Sequence, residues 1–166
     1  MIPQPNPSRR MTVGEWVVVA ATVVLTLASL LTWYTLPTRV LLDAGVKRTF
    51  TAWSTGFSPT TLLPLVFAFT ISIPTVLERL ADLHLPERIG GIRCTQLRMI
   101  LAAGATLLAV TEVATRRAYG PVALVRGPGL WLTLVGSVAL LVGVALDRPA
   151  TLRPTPASGN PDPGGS

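Results

Sequence analysis

Charge is what this chain most lacks. Asp, Glu, Lys and Arg make up only 13% of its 166 residues, against about 25% in an ordinary soluble domain. Part of that small share sits in polar, Pro-rich termini, so the apolar residues between them are concentrated in blocks. Cysteine is almost absent. Cys94 stands alone, which excludes an intrachain disulfide and a fold that depends on oxidation. Histidine is as scarce. His84 is the single one, and His84 with Glu87 falls short of a closed metal site. Cys94 has no His near it in sequence, so it does not read as a nucleophile. There is no G-x-S-x-G, no H-E-x-x-H and no acidic cluster able to hold a metal. Gly90-Gly91 reads as a turn, because no strand signal precedes it to make a phosphate-binding loop. We therefore expect no enzyme activity, metal or cofactor.

The charge that is present is mostly positive, +6 net with a pI near 11.0. In a soluble chain that balance would point to nucleic acid. Here Arg and Lys cluster beside apolar blocks, without interleaved aromatics or a recognition motif, so nucleic acid is not the expected partner. Headgroups of a lipid bilayer are. The abundance of Ala, Thr, Arg, Pro and Gly resembles the composition of a protein from a high-GC bacterium.

What is abundant is long apolar sequence. Val13 to Leu36 reads VGEWVVVAATVVLTLASLLTWYTL, with Glu15 its one charge. As a helix it would set Trp16 and Trp33 about 25 Å apart, close to a hydrocarbon core of about 30 Å with an indole at each interface. Three further apolar stretches follow. The pattern predicts an all-α integral membrane protein, a four-helix bundle over 11–147 with spans at about 13–36, 60–80, 98–116 and 129–146. Residues 1–10 and 148–166 read as disordered, Pro-rich termini. Arg9-Arg10 before the first apolar run resembles the charged region of a signal. The run is longer than a signal's, and no A-x-A-like site follows, so it reads as an uncleaved first span.

The loops carry their own signals. In the first outer loop, 37–59, Val40–Phe50 is weakly amphipathic and is expected to lie on the interface as a short helix. Trp53 and Phe57 follow as headgroup anchors, with a lid or partner surface as the alternative. Ser58-Pro59 is expected to cap and open span two. Pro64 and Pro74 are expected to bend that span, with Thr70 or Ser72 serving the freed carbonyls. With both termini on one side, that side carries Arg9, Arg10, Arg79, Arg88, Arg93, Arg98, Arg148 and Arg153. The other carries Arg39, Lys47, Arg48, Arg116, Arg117 and Arg126. The excess of positive charge places both termini in the cytoplasm.

Helices in lipid associate through close contact. Gly129, Gly136 and Gly143 recur every seven residues in span four, and Ala139 makes a small-xxx-small pair with Gly143. Ala21, Ala28 and Thr35 repeat likewise in span one. Spans one and four are expected to pack through these faces, which could also join two copies. Glu112 is the candidate functional carboxylate, since an ionisable group inside a span is costly. Arg116 lies at the favourable ion-pair spacing from it, so a structural pair at the interface is the expected role and a functional carboxylate the alternative. Glu15 reads as interfacial. The expectation is a non-enzymatic accessory or interaction protein of the cytoplasmic membrane, with a membrane-protein partner or a second copy. The alternative is a small transporter or channel component using Glu112 and the Pro-kinked second span.

Overall fold

A computed structural model describes residues 11–37, 49–54, 59–80, 88–89, 92–115, 118–119 and 122–147. The chain is mostly helical. Its four long helices are α1 (Val13–Leu30), α2 (Leu63–Leu80), α3 (Cys94–Ala114) and α4 (Pro128–Leu146), each long and apolar enough to cross a bilayer. Six of the charged or Pro-rich features named above, Arg9-Arg10, Lys47-Arg48, His84, Glu87, Arg116 and the termini, lie outside the described residues.

α1 starts on a capping box. Thr12 Oγ1 accepts from Glu15 N at 3.1 Å, and Glu15 Oε2 accepts from Thr12 N at 2.7 Å. This satisfies two backbone donors that the first turn leaves orphaned. α1 ends at Leu30, six residues before the expected end of the span. The run Thr32–Thr35 is TWYT, aromatic and β-branched, and it forms strand β1. Strand β2 (Thr49–Thr51) and strand β7 (Val125–Arg126) pair with it on either side, both antiparallel. A small sheet therefore caps one end of the bundle, and the all-α expectation is corrected there. Phe50, expected on an interfacial helix, is extended in β2 and buried. The remaining strands are two-residue ladders. β3 (Arg88–Ile89) pairs with β4 (Ile92–Arg93), and β5 (Ala118–Tyr119) with β6 (Val122–Ala123).

Trp33 binds the sheet to the helices. The ladder slips by one residue between Thr32 and Tyr34. Such a bulge re-aims a side chain, and both Trp33 and Tyr34 are buried. Trp33 Nε1 donates to Ala28 O at 2.8 Å, serving a carbonyl at the open end of α1. Gly127 N donates to Trp33 O at 2.6 Å. A Cβ at Gly129 would lie 2.6 Å from Trp33 Cδ1, so only glycine leaves room for the indole. Trp33 thus does not mark a lipid interface, and the expected pairing with Trp16 is corrected. The exposed indoles are Trp16 at one end of α1 and Trp53 and Trp131 near the capped end. Trp33→Phe keeps the ring but loses the indole bond. It should cost about 1–2 kcal/mol, read as a lower thermal midpoint in detergent; an unchanged midpoint would mean the sheet is held otherwise.

Each helix packs on its two sequence neighbours, and α4 closes the ring on α1 through the most extensive interface. The contact is made by small residues. Gly136 faces Leu25, and Gly143 faces Val18 and the Gly14 carbonyl. The glycine face is thus used within the chain. Ala139 is half-buried against the same core cluster. α3 and α4 are joined by Thr106 Oγ1, which donates to Ser137 O at 3.0 Å. Among the described residues every buried side-chain nitrogen and oxygen is hydrogen-bonded, while Val23, Leu27, Phe69, Ile73, Leu107, Val135 and Val142 stay exposed. Polar groups inside and large apolar groups outside is the arrangement a hydrocarbon solvent selects, and it suggests a multi-pass membrane protein.

α2 departs from expectation at its start. Pro59 opens a 3₁₀ turn (Pro59–Thr61), and the helix begins at Leu63. Pro64 therefore falls in the first turn, where its missing N–H costs nothing. Only Pro74 is inside the helix. Thr70 Oγ1 donates to Val66 O at 2.8 Å rather than to a carbonyl freed by proline, and Thr75 Oγ1 donates to Ile71 O at 2.8 Å.

Candidate functional site

Polar chemistry collects at the two ends of the bundle. The capped end holds Glu112, in the last turn of α3 and 7% exposed. Tyr34 of β1 donates its hydroxyl to the Glu112 carbonyl oxygen at 3.4 Å. Thr60, in the 3₁₀ turn, donates to Glu112 Oε1 at 3.4 Å. Its neighbour Thr61 donates to Ala52 O at 3.4 Å. Loop, helix and sheet therefore meet around one buried carboxylate. That carboxylate cannot form a metal site by itself, and no group of three His, Cys, Asp or Glu able to hold a metal occurs among the described residues.

Trp53 belongs to the same end. It is 57% exposed, and its indole donates to Ser29 Oγ at 3.2 Å, which in turn donates to Thr26 O at 2.7 Å. Trp53 is thus docked on the last turns of α1 with its ring outward. Ala52, bonded to Thr61, links it to the Glu112 surroundings through the chain. Arg116, the expected ion-pair partner of Glu112, lies outside the described residues.

The other end holds a network that the sequence reading did not assemble. Glu15, in the first turn of α1, is 4% exposed and so enclosed by protein. Arg79 clasps it: Nη2 donates to Oε1 at 2.8 Å, and Nε reaches Oε1 at 3.0 Å and Oε2 at 3.2 Å. Beside this pair, Arg98 Nη2 lies 3.2 Å from Glu78 Oε2, and Nη1 lies 3.9 Å from Asp147 Oδ2. Thr12 Oγ1 donates to Asp147 Oδ1 at 2.9 Å. One ion-pair network thus ties α1, α2, α3 and the end of α4. The available signal was the T-x-x-E capping box, which fixes Glu15 at a helix start. An antiparallel hairpin of α1 and α2 then brings Arg79 to the same level. That step needs the pairing of the helices, which residue spacing within one helix does not contain.

Between the ends, a groove of about 340 Å³ runs between α1 and α2, walled by Val19, Val23, Leu27, Phe69 and Val76. Thr22 and Thr26 at its floor donate to Val18 O and Thr22 O of their own helix. The groove offers hydrocarbon contact rather than catalytic chemistry. No protein-family model, no curated protein and no solved structure matches this chain.

Proposed function

We propose that this is a non-enzymatic four-span accessory protein of the cytoplasmic membrane, with both termini inside and the sheet-capped end facing out. The observation that carries the reading is that the bundle is fastened at both ends. The ion-pair network closes one, and the sheet drawn from two different loops closes the other. A carrier must open alternately at its two ends, whereas a scaffold that presents a contact surface gains from rigidity. Trp53, exposed on the rigid cap, is the centre of that surface.

The test is a photo-crosslinker at position 53 in native membranes. It should capture one reproducible membrane protein that a crosslinker at position 16, at the opposite end, does not. Recovery of the chain alone, or the same yield from both positions, would sink the accessory reading. A second reading rests on Glu112, a buried carboxylate in a membrane-length helix. If the chain is instead a transporter component, Glu112→Gln should abolish a pH-dependent flux in proteoliposomes while leaving expression intact. Under the accessory reading the same substitution leaves crosslinking from position 53 unchanged.

A further inference from the structure

One hydroxyl inside the bundle behaves unlike the others. Past the first turn of the four long helices, every other serine and threonine donates to a carbonyl three or four residues back on its own helix. That is how a hydroxyl is satisfied where there is no water. Thr70 and Thr75 do so on either side of Ser72 in α2. Ser72 does not. It is 6% exposed, and among the described residues its Oγ has no hydrogen-bond partner. Every fully enclosed side-chain oxygen among those residues is bonded, so the small accessible part of Ser72 includes its oxygen. That part opens into the groove between α1 and α2, which Ser72 lines.

The rest of the groove defines what would meet that hydroxyl. Its volume of about 340 Å³ falls among small-molecule sites, which run to roughly 300–1,000 Å³ and are apolar with a few polar groups that orient the ligand. The Thr22 and Thr26 hydroxyls have already given their protons to Val18 O and Thr22 O. Among the described residues of the lining, Ser72 therefore holds the one uncommitted O–H, and it calls for an acceptor. Phe69, three residues earlier on the same side of α2, adds an aromatic wall. A ring carbonyl suits both, the ring against Phe69 and the oxygen at Ser72. Depth excludes ordinary phospholipids. Ser72 is the tenth of the eighteen residues of α2, roughly 12–14 Å from either end. Phospholipid ester oxygens stay at the interface, about 15 Å from the midplane. A second copy related by two-fold symmetry would set groove against groove, and two hollows do not fill each other.

We propose that the groove between α1 and α2 is a binding site for a slender, lipid-soluble molecule with a ring carbonyl, a membrane quinone, held by the Ser72 hydroxyl against Phe69. This rests on the membrane reading above and not on the accessory one. It adds a ligand at mid-depth to the contact surface around Trp53.

The experiment is equilibrium binding of decylbenzoquinone to the full chain in detergent. Decylbenzene, at the same concentration in the micelles, is the probe of similar shape without oxygen. Wild type should hold the quinone about three- to tenfold more tightly. Ser72→Ala should bring the quinone down to the decylbenzene level. It breaks no internal hydrogen bond, so its thermal midpoint should stay at the wild-type value. Phe69→Leu should weaken both probes several-fold. Ser137→Ala removes a hydroxyl bonded within α4 and should leave the preference unchanged; an equal loss there would mean general loosening and would overturn the site. Equal affinity of wild type for the two probes would overturn it as well. So would loss of the position-53 crosslink in Ser72→Ala, which would make the groove the seat of a partner helix. Carbonate extraction of native membranes separates the two levels. A chain released by it defeats the membrane reading, whereas an embedded chain without quinone preference defeats only the site.

Discussion

Replacing Arg79 with alanine is expected to be among the most damaging single changes in this chain. Glu15 is buried, and Arg79 supplies three of its hydrogen-bond contacts. Removing one member of a buried pair leaves a desolvated charge and typically costs about 3–5 kcal/mol. The Arg79 side chain is 29% exposed, so water screens part of the pair and the cost should fall near the lower end. At roughly 2–4 °C per kcal/mol, the thermal midpoint in detergent should drop by roughly 6–12 °C. The pair is asymmetric, and that makes the prediction sharp. Glu15→Gln should cost less, because Arg79 can turn its guanidinium to the interface and a glutamine oxygen can still accept from Thr12 N. The double variant should then be more stable than Arg79→Ala alone, since no bare carboxylate is left inside. Equal costs for the two single changes, or simple additivity in the double, would show that Glu15 is not held as an enclosed charge.

The second large effect is steric. A Cβ at Gly14 would lie 2.7 Å from Gly143 O and 2.8 Å from Asp147 N, and one at Gly143 would lie 3.0 Å from Val18 N and 3.1 Å from Gly14 O. These are backbone atoms, which cannot rotate away. Gly14→Val must therefore push α1 and α4 apart at the end where Thr12 meets Asp147. Overpacking of this kind costs about 1–3 kcal/mol and at times more, and the loss of the Thr12–Asp147 contact adds to it. Gly136→Ala meets the Leu25 side chain instead, which can yield, so it should be milder. Gly136→Leu inserts more bulk against the same Leu25 and should loosen the bundle. Gly104→Ala makes only an ordinary contact with Phe67 at 3.4 Å. Because alanine favours the helix over glycine by about 0.5–1 kcal/mol, this last variant should be neutral or slightly stabilising. Thermal midpoints in detergent should thus rank Gly104→Ala highest and Gly14→Val lowest. If all the variants shifted alike, glycine would be acting through helix propensity rather than through the crossing of α1 and α4.

The four long helices were legible in the residues, because an apolar run of eighteen or more needs no partner to be recognised. Spans two and four were placed within a few residues of α2 and α4, and the seven-residue glycine period marked the face of α4 that meets α1. What failed was the reading of Leu31–Leu36 as more helix. Hydropathy reports how apolar a segment is, and Trp33 and Tyr34 are equally apolar in a helix in lipid or in a strand under a cap. Only the pairing with Thr49–Thr51 and Val125–Arg126 decided between them, and those partners are far along the chain. The ion-pair network was hidden for the same reason. Glu15 and Arg79 are 64 residues apart, and each taken alone is an ordinary charge near the end of a span. The sequence by itself thus determined which segments must escape water, since that depends on composition over a short window. The tertiary structure alone decided how the two ends are closed, because strand pairing and buried charge pairing are contacts between segments that no local period encodes.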